Sequence, residues 1–226
     1  MTRRVLISGA SSGIGLAAAQ QLIKQGNRVQ GIARDFSNTQ CEGLEKIVCD
    51  LSELDNLPDE LANVTVIPDV LILNAGYGRF GGLEQFSYQQ IRHLIDTNLV
   101  SNLFLIKHFL PSMKKNGGGD IVVIGSESAL HGGKAGTVYC ASKFALRGLT
   151  QSLRKDNPSM RVILVNPGAV DSDFFDDLDF APQAGPEYTI KPETIAEAIV
   201  HALSLSANAV TEEINIQPLK RSFKKK

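Results

Sequence analysis

The sequence contains no tryptophan, only three cysteines and no long apolar run. Cys41, Cys49 and Cys140 form neither a CxxC pair nor an even framework, which excludes a disulfide scaffold and favours a reducing compartment. No stretch approaches the roughly 20 consecutive apolar residues that a membrane-spanning helix needs. We therefore expect a cytoplasmic protein without a membrane partner.

An excess of charge of one sign is also missing. The 23 Lys and Arg residues nearly balance the 24 Asp and Glu residues, and the formal net charge is −1. This balance gives no reason to expect a nucleic acid as partner. Positive charge is concentrated in the basic C-terminal tail, residues 220–226, where five of seven residues are Lys or Arg. We interpret this basic tail as a solvated, frayed end.

Short β-rich runs alternate with longer helical patterns along the 226 residues. Such alternation indicates βαβ units with right-handed crossovers. The predicted fold is α/β: a Rossmann-type, doubly wound parallel sheet of about seven strands with helices on both faces. Strands are predicted at 5–7, 28–33, 46–49, 70–73, 121–124, 161–165 and 214–216, and helices at 14–25, 87–115, 137–155 and 192–204, with Thr97 a candidate for a break.

No linker, repeat or change in composition divides the chain. Residues 1–219 are therefore predicted to form a single domain. The least regular stretch, residues 171–191, is rich in Asp, Pro and Phe, and in a doubly wound domain such a stretch is more typical of a lid or substrate loop than of a domain boundary. We call residues 171–191 the substrate loop. Its brevity predicts a fairly open site.

A glycine-rich turn connects the first predicted strand to the first predicted helix. Gly9, Gly13 and Gly15 follow the spacing G-x-x-x-G-x-G. Glycines allow a tight turn and let backbone N–H groups approach a pyrophosphate, which then lies at the positive end of the helix. A simple tight turn is the alternative, but the position in the first βα unit of a parallel sheet favours nucleotide binding.

A second motif places a phenol beside an ammonium group. Tyr139 and Lys143 are four residues apart on a predicted helix, so they share one face. A nearby positive charge is expected to lower the pKa of tyrosine towards the range in which it serves as a general acid or base. An exposed surface pair is the alternative. Ser126 lies 13 residues before Tyr139, at the carboxyl end of an apolar strand. Open α/β sheets bind ligands at this end of their strands. Ser128 is the competing candidate for a serine in the site.

With these motifs the sequence resembles the short-chain dehydrogenase/reductase family, in its smaller single-domain branch, over essentially its whole length. The resemblance implies four catalytic residues: Asn98, Ser126, Tyr139 and Lys143. Ser126 would hydrogen-bond the substrate oxygen, Tyr139 would be the general acid or base, and Lys143 would lower the pKa of Tyr139 and hold the nicotinamide ribose. Asn98 would help to hold a water of a proton relay, with a helix kink or local cap as the alternative.

The resemblance also implies a cofactor site made by five loops and by the helix that carries Tyr139 and Lys143. The second strand ends at Ala33, where enzymes that prefer NAD carry an acid, and Arg34 follows, which suits a 2′-phosphate. Asp35 comes next, so NAD remains the less favoured alternative to NADP. Ser172 replaces the usual threonine of the loop over the nicotinamide and keeps its hydroxyl. The implied cofactor-binding residues are Gly9, Ser11, Ser12, Gly13, Ile14, Gly15, Arg34, Asp50, Leu51, Asn74, Ala75, Gly76, Tyr139, Lys143, Pro167, Gly168, Val170 and Ser172.

The resemblance implies an NADP(H)-dependent oxidoreductase that acts on a small alcohol or carbonyl compound. A catalytically silent NADP(H)-binding sensor or scaffold of the same fold is the alternative, and the presence of all four implied catalytic residues favours the enzyme. Aromatic side chains among the expected pocket residues (77–83, 127–131, Phe174, Phe175 and Phe180) suggest a partly apolar substrate. The four histidines lack metal-ligand spacing, so we expect no metal. The resemblance further implies a homodimer or homotetramer.

Overall fold

A computed structural model describes residues 2–226. The elements are β1 (Arg4–Ser8), α1 (Gly13–Lys24), β2 (Arg28–Ala33), β3 (Leu44–Val48), α2 (Leu57–Ala62), β4 (Val70–Leu73), α3 (Tyr88–Ile95), a π-helical turn (Asp96–Val100), α4 (Ser101–Lys115), β5 (Gly119–Ile124), α5 (Thr137–Asp156), β6 (Met160–Pro167), β7 (Phe180–Pro182), α6 (Pro192–Ser204), β8 (Glu213–Ile216) and β9 (Phe223–Lys225). None of the helices within residues 2–226 combines the length and apolar character needed to cross a membrane.

Seven parallel strands form the central sheet, in the order β3-β2-β1-β4-β5-β6-β8. Val5 in β1 lies opposite Val29 on one side and Val70 on the other. All four residues of β4 are apolar and buried, because helices cover the middle of a parallel sheet on both faces. The predicted doubly wound, seven-stranded α/β fold is therefore confirmed.

Each face of the sheet carries its own core, because successive strand side chains point to opposite faces. Ile7 packs with apolar residues of α1 and α6, among them Ala18 and Ile195. Leu6, its neighbour in β1, belongs to the other core, which α2, α4 and α5 cover and which contains Leu105. These two layers fix the positions of the loops at the carboxyl ends of the strands.

The long helical region does not break at Thr97. A capping box begins it, since the Ser87 hydroxyl accepts a hydrogen bond from the backbone N–H of Gln90 and the Gln90 side chain accepts one from that of Ser87. A π-helical turn at Asp96–Val100 then joins α3 to α4. Such turns insert a residue into a helix and are frequent at functional sites. The irregularity expected near Thr97 is thus a widened turn, which presents Asn98 to the site.

The basic tail is not frayed, and that interpretation is wrong. β9 pairs antiparallel with β7, with Pro182 opposite Phe223 and Phe180 opposite Lys225. The backbone N–H of Lys226 also donates to the carbonyl of Asp179 at 2.9 Å. The tail side chains are exposed, as expected, but backbone pairing holds the segment in place. A three-residue strand is too short to show periodicity in the sequence.

Candidate active site

The predicted site residues lie in the loops at the carboxyl ends of the central strands. Gly9 adopts φ +66°, and a Cβ there would lie 2.9 Å from the Cα of Ala75. A Cβ on Gly15 would lie only 2.1 Å from the carbonyl oxygen of Gly9. The first turn of α1 can therefore approach β1 and β4 only because these positions lack side chains.

The beginning of α1 is suited to an anion. Ser12 precedes the helix in an extended conformation, and its side chain makes no capping hydrogen bond. The first turn of α1 contains no acidic residue. The first backbone N–H groups of a helix have no partner within it, so those of Gly13 and Ile14 are available to a pyrophosphate. Ser11 lies beside this turn, where its carbonyl oxygen accepts a hydrogen bond from the Thr39 hydroxyl at 2.9 Å.

The loop after β4 is tied to the glycine loop by Asn74 and by Ser8, a residue that the motifs did not assign. The Ser8 hydroxyl accepts hydrogen bonds from the backbone N–H groups of Asn74 and Ala75 at 3.0 and 3.1 Å. The Asn74 amide donates to the carbonyl of Gly9 at 2.8 Å. Asn74 therefore holds the two loops together, while Ala75 and Gly76 present small side chains or none to the site.

The loops after β2 and β3 carry Arg34 and Asp50. Arg34 is exposed and, within residues 2–226, makes no ion pair or side-chain hydrogen bond. The Asp35 carboxylate accepts hydrogen bonds from the backbone N–H and the hydroxyl of Ser37, at 2.8 and 2.6 Å. These hydrogen bonds hold the pKa of Asp35 below its usual range. Asp50 forms a tight turn with Ser52, whose N–H and hydroxyl both donate to it, and Leu51 behind it is buried.

The loop after β6 lies over the glycine loop. A Cβ built on Gly13 would stand 3.5 Å from the Cβ of Ser172. The backbone N–H of Gly168 donates to Ile216 in β8 at 2.8 Å, which anchors the loop that Pro167 begins. Val170 is buried against the core. The structure thus brings the predicted nicotinamide loop to the amino end of α1.

Three of the implied catalytic residues are nearly enclosed: Tyr139, Lys143 and Ser126 are 5%, 6% and 9% exposed. The Lys143 Nζ lies 5.8 Å from the centre of the Tyr139 ring and donates to the carbonyl of Ile124 at 3.1 Å. The Ser126 hydroxyl accepts a hydrogen bond from the backbone N–H of Ser128 at 3.1 Å. The expected exposed-pair alternative for Tyr139 and Lys143 is therefore wrong.

Asn166, outside the predicted set, positions Ser126. Its side-chain oxygen accepts the backbone N–H of Ser126 at 3.3 Å, and its amide donates to Asn215 in β8 at 2.9 Å. Asn166 is fully buried. The only sequence signal was its place at the start of the nicotinamide loop, directly before Pro167. The contact itself joins residues 40 positions apart and was not visible in the sequence.

The pKa of Tyr139 is raised, whereas the sequence predicted that it would be lowered. Burial raises the pKa of Tyr139 to about 12, and the Ser126 side chain acts in the opposite direction. Burial also lowers the pKa of Lys143 to about 8. Both shifts have the same cause, since a site with little water penalises the charged form of each group. The net shift of the Tyr139 pKa is therefore upward and not downward as expected, because burial is the largest effect.

Asn98 connects the π-helical turn to the rest of the site. Its side-chain oxygen accepts the backbone N–H of Tyr77 and its amide donates to the Tyr77 carbonyl, both at 3.0 Å. The amide also lies 3.2 Å from the hydroxyl of Ser142, which in turn donates to the Tyr139 carbonyl. A Cβ on Gly76 would be 3.1 Å from the Asn98 Oδ1 and 3.7 Å from the Lys143 Nζ. The local-cap alternative for the Asn98 side chain is therefore wrong.

Aromatic side chains cover Tyr139. The ring centres of Phe80 and Phe174 lie 5.1 and 5.9 Å from that of Tyr139. Gly78 lets Phe174 approach, because a Cβ there would lie 2.4 Å from the Phe174 ring. The fairly open site expected from the short substrate loop is therefore not what the structure contains. Within residues 2–226, no group of three or more His, Cys, Asp or Glu side chains is arranged to hold a metal ion.

Known proteins resemble this chain in sequence. A profile of the short chain dehydrogenase family matches residues 3–181. An uncharacterized oxidoreductase of Staphylococcus saprophyticus is 28% identical over 229 residues, which cover 95% of this chain and 96% of that protein. Retinol dehydrogenase 8 of Homo sapiens is 38% identical over 188 residues, which cover 76% of this chain and 60% of that protein.

Solved structures share the fold. An alcohol dehydrogenase from Thermococcus sibiricus, complexed with 5-hydroxy-NADP, has a TM-score of 0.86 at 28% identity and covers 98% of this chain and 99% of its own. A 4-hydroxyisoleucine dehydrogenase complexed with NADH has a TM-score of 0.82 at 25% identity, with 96% and 97% covered. Because the family profile spans most of the chain and the solved structures cover nearly all of it, this chain belongs to the short chain dehydrogenase family of oxidoreductases.

Proposed function

We propose that the chain is an NADP(H)-dependent oxidoreductase that interconverts an alcohol and a carbonyl compound. The observation that carries the proposal is the burial of Tyr139, Ser126 and Lys143 close to one another, together with a glycine loop before α1 whose first helical turn has no side-chain cap. Tyr139 as a general acid or base needs a partner for the reacting oxygen and a nearby cation, and the other two residues supply them.

Ser126, Tyr139 and Lys143 would each have a separate role in proton transfer. A bound nicotinamide supplies a hydride to the carbonyl carbon, or accepts one from the alcohol. Ser126 would hold the substrate oxygen by a hydrogen bond. Tyr139, with a pKa of about 12, keeps its proton at neutral pH and can give it to the developing alkoxide. Lys143, with a pKa of about 8, is mostly charged at pH 7 and would stabilise the phenolate that remains.

The chain's own residues fit a dinucleotide with a 2′-phosphate. Glycines 9, 13 and 15 leave room against α1, where backbone N–H groups would bind the pyrophosphate. Arg34 offers a guanidinium that pairs with no side chain among residues 2–226, and its neighbour Asp35 is bound to Ser37. The similar solved structures include one complex with 5-hydroxy-NADP and one with NADH. Arg34 is our reason to propose NADP over NAD.

An apolar carbonyl or alcohol is the proposed substrate class. Phe80 and Phe174 cover Tyr139, and Phe180 packs on Phe80 at 5.1 Å. Rings of this kind bind hydrocarbon surface far better than charged groups. A relative named retinol dehydrogenase 8 is consistent with this class.

We also propose a single domain over residues 1–219, a homo-oligomeric state, and a cytoplasmic location that the three free thiols fit.

The test of this function is the variant Tyr139→Phe. Removal of the hydroxyl should lower kcat for reduction of a carbonyl panel by about 10²–10⁴-fold, because the proton donor is lost. The dissociation constant of NADPH should change less than about twofold, as the ring remains. Tyr88→Phe, at an exposed tyrosine of α3, is the matched control. Tight NADPH binding without turnover of any carbonyl by the wild type would instead support the sensor or scaffold alternative.

A further inference from the structure

The basic tail lies against the substrate loop, and both carry charge that the proposed reaction does not use. Five aspartates lie within residues 171–179, and five of the residues 220–226 are basic. β9 in the tail pairs with β7 in the loop. The Lys226 ammonium donates to the main-chain carbonyls of Phe175 and Asp176, the latter at 2.9 Å. Strand pairing and hydrogen bonds from a charged donor therefore hold the two segments together.

The tail also contacts the loop and the pocket rim at other points. The Ser222 carbonyl accepts the backbone N–H of Gln183 at 3.0 Å, and the N–H of Lys220 donates to the Glu187 carbonyl at 2.8 Å. The Lys220 ammonium lies 3.3 Å from the Glu187 carboxylate. An Arg221 guanidinium nitrogen lies 3.9 Å from the carboxylate of Glu127, the residue after Ser126. The tail thus spans from one end of the substrate loop to the edge of the pocket.

Phe223 in β9 connects the tail to Tyr139 through two chains of aromatic contacts. In the first, its ring lies 5.6 Å from that of Phe180, which packs on Phe80 at 5.1 Å. In the second, Phe223 lies 6.2 Å from Phe175, which packs on Phe174 at 5.1 Å. Phe80 and Phe174 are the two rings that cover Tyr139. Movement of Phe223 would therefore loosen both sides of the cover.

A substrate oxygen must contact Tyr139 and Ser126, yet both are almost fully buried. The cover has to move before any carbonyl compound can bind. We propose that the basic tail clamps the substrate loop over Tyr139, and that Phe223 is a positioning residue that limits the size of the carbonyl compounds admitted. This inference rests on the proposed function for its kinetic part, whereas the clamp itself is a property of the folded chain.

Hydrogen exchange of the full chain loaded with NADP⁺ tests the clamp without any substrate. In Phe223→Ala, the amides of Asp176 and Leu178, which bond within the loop, should exchange about tenfold faster, because two aromatic contacts are lost. Amides of β5 should not change. Leu219→Ala removes a large, exposed apolar side chain just before the tail and is the matched control. Equal loop exchange in Phe223→Ala and wild type would overturn the clamp.

Lys226→Met is the second variant and keeps Phe223 in place. It removes the ammonium that binds the carbonyls of Phe175 and Asp176, so loop exchange should rise about threefold, less than in Phe223→Ala. If Phe223→Ala does not fold, this variant decides the matter alone. Unchanged exchange in Lys226→Met would then overturn the clamp.

Kinetics with two aldehydes, propanal and 2-naphthaldehyde, test the limit on substrate size. In Phe223→Ala, the ratio of kcat/KM for 2-naphthaldehyde to that for propanal should rise at least threefold, chiefly through KM. The kcat for propanal and the dissociation constant of NADPH should stay within twofold of wild type, as they should in Leu219→Ala. Faster loop exchange with an unchanged ratio would overturn the size limit. Failure of the wild type to reduce either aldehyde would count against the proposed function, and the exchange rates would still decide the clamp.

Discussion

Burial controls the two ionisable groups at the centre of the site. The Tyr139 phenol has its pKa raised to about 12 and the Lys143 ammonium has its pKa lowered to about 8, because each charged form is poorly solvated there. The neutral phenol suits a proton donor for carbonyl reduction. Ser142, between them in the sequence, bonds to the Tyr139 carbonyl and to Asn98. The helix that carries the pair is thereby fixed to the π-helical turn.

At the scale of single residues, Arg34 is expected to set cofactor preference. Arg34→Ala should raise the dissociation constant of NADPH about tenfold or more and leave that of NADH nearly unchanged, because a charge-assisted bond to the 2′-phosphate is lost. Fluorescence titration of both cofactors measures this. Arg28→Ala, at the opposite end of β2, is the matched control, since Arg28 is also exposed. Equal loss of affinity for both cofactors would contradict the role proposed for Arg34.

At the scale of elements, the junction of β1, β4 and α1 has no spare volume. The Asn74 amide, the Gly9 carbonyl and Gly15 meet there, and a Cβ on Gly15 would overlap the first two. The Ser8 hydroxyl binds the backbone of the loop after β4 from the same junction. The position of the α1 N–H groups therefore depends on contacts among three elements.

Gly15→Ala should displace α1 from this junction. We expect the dissociation constant of NADPH to rise at least tenfold and the melting temperature to fall by several degrees, since a backbone carbonyl 2.1 Å away cannot be avoided by a side-chain rotation. Gly148→Ala in α5 is the matched control, because that helical glycine has nothing within 4 Å of its added Cβ. Calorimetry and cofactor titration report the two effects. Equal behaviour of the two variants would contradict the tight junction.

At the scale of the whole molecule, the two long helices each leave a large apolar side chain in solvent. Leu103 in α4 is 40% exposed and Phe144 in α5 is 43% exposed. Burial of such side chains against a second copy would be favourable by roughly 25 cal/mol per Å² of apolar surface. This surface supports the proposed homo-oligomer.

Phe144→Glu should shift the protein towards monomer in sedimentation velocity at micromolar concentration, since an unpaired carboxylate would be buried in the interface. The matched control is Val48→Glu, at an exposed apolar side chain of the edge strand β3. A monomeric wild type would contradict the proposed oligomer. An oligomer unaffected by Phe144→Glu would show that its interface lies elsewhere.

The sequence determined the parts of this protein that depend on short-range pattern. The strand and helix alternation gave the seven-stranded sheet, because apolar runs and helical periodicity are read within a few residues of each other. The glycine spacing before α1 and the four-residue separation of Tyr139 and Lys143 are likewise local. Arg34 was identifiable for the same reason, since it directly follows β2.

The tertiary structure decided what depends on contacts between distant segments. The Ser8 hydroxyl meets Asn74 across 66 positions, and Asn166 meets Ser126 across 40. The pairing of β9 with β7 turns the expected frayed tail into part of the substrate loop's support. Burial raises the pKa of Tyr139, and its ring packs against Phe80 and Phe174, which are far from it in sequence. The charge state of a site residue, its exposure and the covering of the site all depend on neighbours that are distant in sequence. They are therefore determined only when the chain has folded.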